Sequence, residues 1–189
     1  MRSAIGALLL TLAFPSEAES WDLQALMQRM ASVPSSSSRF VETRHLALLT
    51  RPLQLKGRLT YERPNRLSKH ILSPFDELIS VEGDALTVLN RSKGEQHLLS
   101  LREQPALRAL VESVRATLAG DLAQLERHYR VELSGARGSW RMLLAPLDSQ
   151  VRGYVETIAL AGTDARVTRI EIVETGGDRS VMTILHDDK

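Results

Sequence analysis

Leu53-Gln54-Leu55-Lys56-Gly57-Arg58-Leu59-Thr60-Tyr61-Glu62 alternates strictly, with apolar residues or glycine at odd positions and polar or charged residues at even ones. A period of two belongs to a β-strand with one covered face and one solvated face. It also points to antiparallel pairing, because parallel strands are usually covered on both sides and read as continuous apolar runs. Arg63-Pro64-Asn65 then turns the chain.

Toward the C-terminus, turn signals at 73–76, Glu82-Gly83-Asp84 and Ser92-Lys93-Gly94 separate short candidate strands at 67–72, 78–81, 86–90 and 96–99. The period changes at Pro105, which suits the first turn of a helix. Leu107, Leu110, Val111, Val114 and Leu118 form its apolar stripe, and Gly120 closes it. Asp121 is placed to cap a second short helix, with Gln124 three residues on as in a capping box. Strands resume with Tyr129, Val131 and Leu133, turn at 135–138, and continue with Trp140, Met142 and Leu144. Three more are expected around 155–160, 167–173 and 180–186, with Gly176-Gly177 as a hairpin turn.

Toward the N-terminus, the run Ser35 to Ser38 reads as a polar connection ahead of Phe40. Leu23, Leu26, Met27 and Met30 give one face of a short amphipathic helix ended by Val33-Pro34. Before that, Arg2 precedes a small and apolar run over 4–14, and Ser16-Glu17-Ala18 offers small residues before a cleavage point. We expect a signal peptide at 1–18, cut after Ala18, and one domain over 19–189. The run is far shorter than the ~20 residues that span a hydrocarbon core.

The fold expected is mainly β with short helices: an open, strongly curved antiparallel sheet whose concave face is covered by helices and encloses an apolar cavity. The cleanest alternations nominate Phe40, Leu53, Leu55, Leu59, Tyr61, Trp140, Met142 and Leu144 as cavity-lining residues. With no cysteine in the chain, stability must come from the core. The 24 basic and 23 acidic residues are interspersed, which gives no nucleic-acid footprint.

No nucleophile elbow, zinc-binding helix, phosphate loop or dinucleotide fingerprint is present, so no catalytic residue, metal or cofactor is expected. The five histidines are never three or four apart, and His186 reads as part of a frayed tail. An enzyme acting on lipids would need Ser, His and Asp brought together from distant strands. Met27, Met30, Met142 and Met182 suit either ordinary core packing or a surface that adapts to variable apolar partners. Glu42 and Arg44 could form a buried pair.

Phe40-Val41-Glu42, the run from Gly57 through Arg63-Pro64-Asn65, Pro74 and Glu82-Gly83-Asp84-Ala85-Leu86 together resemble the pattern of the periplasmic lipoprotein carrier family LolA. The runs 140–146 and 170–174, followed by Gly176-Gly177-Asp178, fit its second half. The resemblance implies an incomplete antiparallel β-barrel with a helical lid, here carrying Leu107, Leu110, Val111 and Val114, over a hydrophobic cavity. It further implies a soluble, monomeric periplasmic carrier. The cargo would be the acyl chains of lipoproteins or related lipids, taken from an inner-membrane donor exporter and delivered to an outer-membrane acceptor. Arg63 falls on the arginine that, in the family, bonds lid carbonyls and helps set the closed state. The chain departs from the family where aromatics are usual, with Leu67, Leu72, Leu86 and Val88 instead, which opens the cargo to other acylated lipids. The alternative is a sensor or regulatory lipid-binding module acting with a membrane protein.

Overall fold

The computed structural model describes residues 21–186. The expected signal peptide therefore lies outside the described residues. The described chain runs α1 (Leu23–Ala31), β1 (Ser35–His45), β2 (Leu53–Glu62), β3 (Arg66–Ser73), β4 (Glu77–Glu82), β5 (Ala85–Asn90), β6 (Glu95–Ser100), α2 (Pro105–Ala119), α3 (Leu122–His128), β7 (Tyr129–Ala136), β8 (Ser139–Pro146), α4 (Ser149–Arg152), β9 (Val155–Thr163), β10 (Arg166–Glu174) and β11 (Arg179–Leu185).

All eleven described strands form one antiparallel sheet in the order β6-β5-β4-β3-β2-β1-β11-β10-β9-β8-β7. The sheet is not closed into a barrel: β6 and β7 are its two edges. Two meanders of hairpins run outward from the centre and meet where β1 pairs with β11, Phe40 opposite Ile184 and Glu42 opposite Met182. The chain must cross from one edge to the other between β6 and β7, and α2 with α3 makes that crossing over the inner face. The lid is thus also the only crossover among the described elements, which is why its stripe is apolar.

Register carries the alternation of β2 across the sheet. Leu55 faces Glu42, Gly57 faces both Phe40 and Ile71, Leu59 faces Ser38 and Lys69, and Tyr61 faces Ser36 and Leu67. Gly57 is required here, because a Cβ would fall 1.9 Å from the His70 carbonyl oxygen and 2.9 Å from the Phe40 ring. The larger core cluster packs Leu26, Met27 and Met30 of α1, Ala116 of α2 and Leu125 of α3 against Phe40, Leu55, Ile71, Trp140, Met142, Leu144, Ile158 and their neighbours. A smaller one joins Val81, Leu86, Leu101 and Val111.

Two expectations are corrected. The serine run is not a loop: Ser35 to Ser38 are the first residues of β1 and pair with Glu62 to Leu59. Strand preference depends on context, and the ten residues of β2 demand a partner of equal length. Two helical turns were not foreseen: a 3-10 turn at Leu101–Glu103, and the single turn α4, capped by the Asp148 carboxylate accepting from the Gln150 and Val151 N–H groups. The capping box at α3 is half formed: Asp121 accepts from the Gln124 N–H at 2.9 Å, while the Gln124 side chain turns to Arg127.

Candidate functional site

Between α2 and the inner face of the sheet lies a cavity of about 680 Å³, within the ~300–1,000 Å³ usual for pockets that hold one small molecule. Its walls come from α2 (Leu107, Leu110, Val111, Val114, Leu118), from β2 to β5 (Leu59, Tyr61, Leu67, Ile79, Val81, Leu86) and from β9 to β11 (Leu160, Val167, Ile170, Met182, Ile184). It draws on both core clusters and occupies the space where they do not meet.

Leu107, Leu110, Val111 and Val114 all line this space, as do Leu59 and Tyr61. The other nominated strand residues share the inner face but are covered. Phe40, Leu55, Trp140, Met142 and Leu144 are buried in the larger core cluster, and Leu53 packs against it. Helices α1 and α3 sit in the same cluster and cover the inner face beside the cavity, which α1 touches through Met30. Met30 and Met182 reach the cavity, whereas Met27 and Met142 are core. Of the positions where family aromatics are absent, Leu67 and Leu86 line the cavity and Leu72 is exposed.

Two arginines fasten α2 to the sheet in opposite senses. Arg63, just past β2, donates from Nη2 to the Ala119 carbonyl at the C-terminal end of α2, 2.8 Å away. Arg115, on α2 and buried, donates from Nη2 to the Asn65 carbonyl at 2.9 Å and the Gly83 carbonyl at 2.7 Å, and from Nη1 to Glu112. These carbonyls sit in the β2–β3 and β4–β5 turns, so a planar fork of donors spans two hairpins. Arg115 was missed in the sequence, although it lies four residues after Val111 and three before Leu118, within the buried stripe. Gly120 lets α1 approach the end of α2: its φ is +69°, and a Cβ there would fall 2.1 Å from the Met27 carbonyl oxygen.

The cavity is not uniformly apolar. Glu42, with a side chain only 3% exposed, accepts from Arg44 Nε at 2.8 Å and Ser180 Oγ at 2.6 Å through Oε1, and from Lys69 Nζ through Oε2. The Lys69 ammonium also lies 5.2 Å from the Phe40 ring centroid. Burial pushes the Glu42 carboxyl up, but the Lys69 charge and the bonds from Lys69, Ser180 and Arg44 outweigh it and hold the group below its ordinary value. Lys69 goes down: its burial outweighs the attraction of Glu42, with Arg44 repelling it. Both groups thus lie below their ordinary values: Glu42 receives three donors, whereas Lys69 is buried with one carboxylate. Lys69 was missed because its strand shows no clean alternation around it.

Ser38 and His186 also meet at the cavity wall. His186 Nε2 lies 2.8 Å from the Val167 carbonyl, so it carries the proton, and Nδ1 accepts from Ser38 Oγ at 3.1 Å. The third member of this arrangement is a backbone carbonyl rather than a carboxylate, and the pair joins neighbouring strands as a cross-strand hydrogen bond. Among the described residues no group of three or more His, Cys, Asp or Glu could hold a metal ion.

A single open antiparallel sheet with a crossover helix laid over an apolar cavity defines a class of small half-barrel binding folds. The chain belongs to the family described as outer membrane lipoprotein carrier protein LolA-like, whose model matches residues 15–186. No curated protein matches the sequence. Similar solved structures include a LolA superfamily protein from Nitrosomonas europaea, 14% identical over 90% of this chain and 96% of that one, TM-score 0.45. The MucA/MucB complex from Pseudomonas aeruginosa is 11% identical over 87% of this chain and 56% of that one, TM-score 0.47. A putative outer membrane lipoprotein-sorting protein domain from Vibrio parahaemolyticus is 10% identical over 86% and 89%, TM-score 0.45.

Proposed function

We propose that this chain is a periplasmic carrier which shields an acyl chain of a lipoprotein or related lipid beneath α2 and hands it toward the outer membrane. The observation that carries this reading is the apolar cavity between α2 and the sheet, with a volume suited to one chain. Burying each methylene contributes about 0.8 kcal/mol, so affinity is readily obtained and release is the harder step. Release then falls to α2, whose closed position is held by Arg63 and Arg115. No covalent chemistry is required, and no helix among the described residues is long and apolar enough to cross a membrane. In this reading residues 1–18 are removed on export, 19–189 act as one monomeric domain, and the partners are a donor in the inner membrane and an acceptor in the outer one.

The test is displacement of a fluorescent fatty acid from the purified protein by an acylated peptide. Saturable binding and full displacement are expected; a probe that never binds, or that the acylated peptide leaves in place, sinks the carrier reading.

A further inference from the structure

An acyl carrier needs apolar walls, and the Glu42 cluster is not one. In the sheet register Glu42 is flanked by Leu55 and Met182, so it occupies an inward position that an apolar side chain would fill. Buried ion pairs are often no more stabilising than apolar residues of similar volume. Stability alone therefore gives no reason for Glu42, Lys69 and Arg44 to share this end of the cavity. The cluster is also rich in donors. Lys69 offers three N–H groups and Arg44 five, and Glu42 takes one from each. Glu77 of β4 adds a weaker attraction on Lys69. Both cations line the cavity together with Ser180, and Arg44 is 37% exposed, which sets the cluster at an opening to solvent.

The position of α2 supplies the direction. Its anchors are the carbonyls of Asn65 and Gly83, in the turns beyond Tyr61, and the bond from Arg63 to Ala119. Glu42 lies six residues along β1 from Ser36, the partner of Tyr61, or about 20 Å at the rise of a strand. The lid is thus fastened at one end of the cavity and the charged cluster stands at the other. At the lid end the hydroxyl of Tyr61 is buried and has no hydrogen-bond partner.

We propose that Arg44, Lys69 and Ser180, oriented by Glu42, form a head-group site, and that the cavity takes a single-chain amphiphile with an anionic oxygen head, a carboxylate or a phosphate. The tail runs from this cluster toward α2. The inference rests on the acyl-cavity reading and names the class of ligand that the cavity prefers.

The experiment displaces Nile red, a neutral probe, from the full chain with oleate, methyl oleate, oleyl alcohol and oleoyl lysophosphatidate, which share a tail and differ in head. The two anionic ligands should displace it at concentrations about tenfold lower than the neutral ones, as expected for hydrogen bonds to a charged head. Oleate against lysophosphatidate separates a carboxylate site from a phosphate site. Lys69→Gln and, at the more exposed position, Arg44→Gln should each narrow the preference to about threefold or less, with circular dichroism confirming the fold. Failure of both oleate and oleoyl lysophosphatidate to displace the probe at lower concentration than methyl oleate and oleyl alcohol in the wild type overturns the head-group site while leaving the carrier reading in place. So does a preference that survives in folded Arg44→Gln and Lys69→Gln. A protein that binds neither probe nor any amphiphile overturns both.

Discussion

Glu42 receives three donors with only 3% of its side chain exposed, so what it contributes depends on its partners remaining in place. Glu42→Ala leaves the Lys69 ammonium without its carboxylate and should cost about 3 kcal/mol, as for other broken buried pairs. The double change Glu42→Leu with Lys69→Met should cost less than either single change, because it removes the ions together; urea unfolding of the four proteins measures this. The pH dependence follows from the same bonds. The folded-state carboxyl lies below its ordinary value of 4.5, so between the two values the unfolded chain binds the proton and the folded one does not. The stability that Glu42 contributes is therefore full above about pH 4.5 and is lost as pH falls through the folded value. Melting temperatures of the wild type and Glu42→Gln, compared from pH 7 down to pH 3, should converge in acid; a gap that stays constant would remove Glu42 from the acid response. Lys69 acts in the alkaline range with the opposite origin. Its folded value lies below 10.5, so the stability penalty on its cation lifts as pH rises toward that figure.

At the scale of elements, α2 is capped at its end by Gly120 but not at its start, where Gln104 makes no side-chain capping bond, and side chains do the rest of the holding. Arg115→Leu strands two turn carbonyls and should destabilise the protein by about 2 kcal/mol. It should also raise hydrogen exchange across 105–119 and speed ligand release. Arg63→Leu, at an exposed position, should change release more than folding; release kinetics identical to wild type would take Arg63 out of lid control. How much of this was legible in the sequence differs by element. The β2 alternation, the α2 stripe and the hairpins each announce themselves within ten or fifteen residues, because periodicity and turn chemistry are local. The serines of β1 do not, since only pairing with β2 makes them a strand. The pairing of Glu42 with Lys69 is similarly hidden: two residues 27 apart meet only through the registers of two hairpins. Arg63 stands out by its place beside Pro64, whereas Arg115 is a charged residue within an apolar stripe, a position where arginine is seldom buried. The cavity was placed under α2, but which strands line it depends on where α1 and α3 settle, and periodicity does not record that.

At the scale of the whole molecule, the two clusters are unequal. Among the described residues, eighteen buried ones form the larger and four the smaller, so the β4–β6 side has the weaker hold on the rest. Edge strand β6 is exposed along almost its whole length, with Leu98 at 71%. Native-state hydrogen exchange should open 77–100 through a sub-global step well before 139–172, which exchanges only near global unfolding. Simultaneous exchange of the two would mean that α2 couples the clusters more tightly than their sizes suggest. The central pairing of β1 with β11 also governs the order in which the molecule can be assembled as it is made. β1 is the first strand of the described chain to emerge and β11 the last, so the flank of β1 that ends in the middle of the sheet stays open through all of the intervening synthesis. Until β11 arrives, each meander presents a bare strand to its surroundings, with the long wait that such distant pairing imposes. That flank of β1 finds its hydrogen-bonding partners only when β11 reaches it.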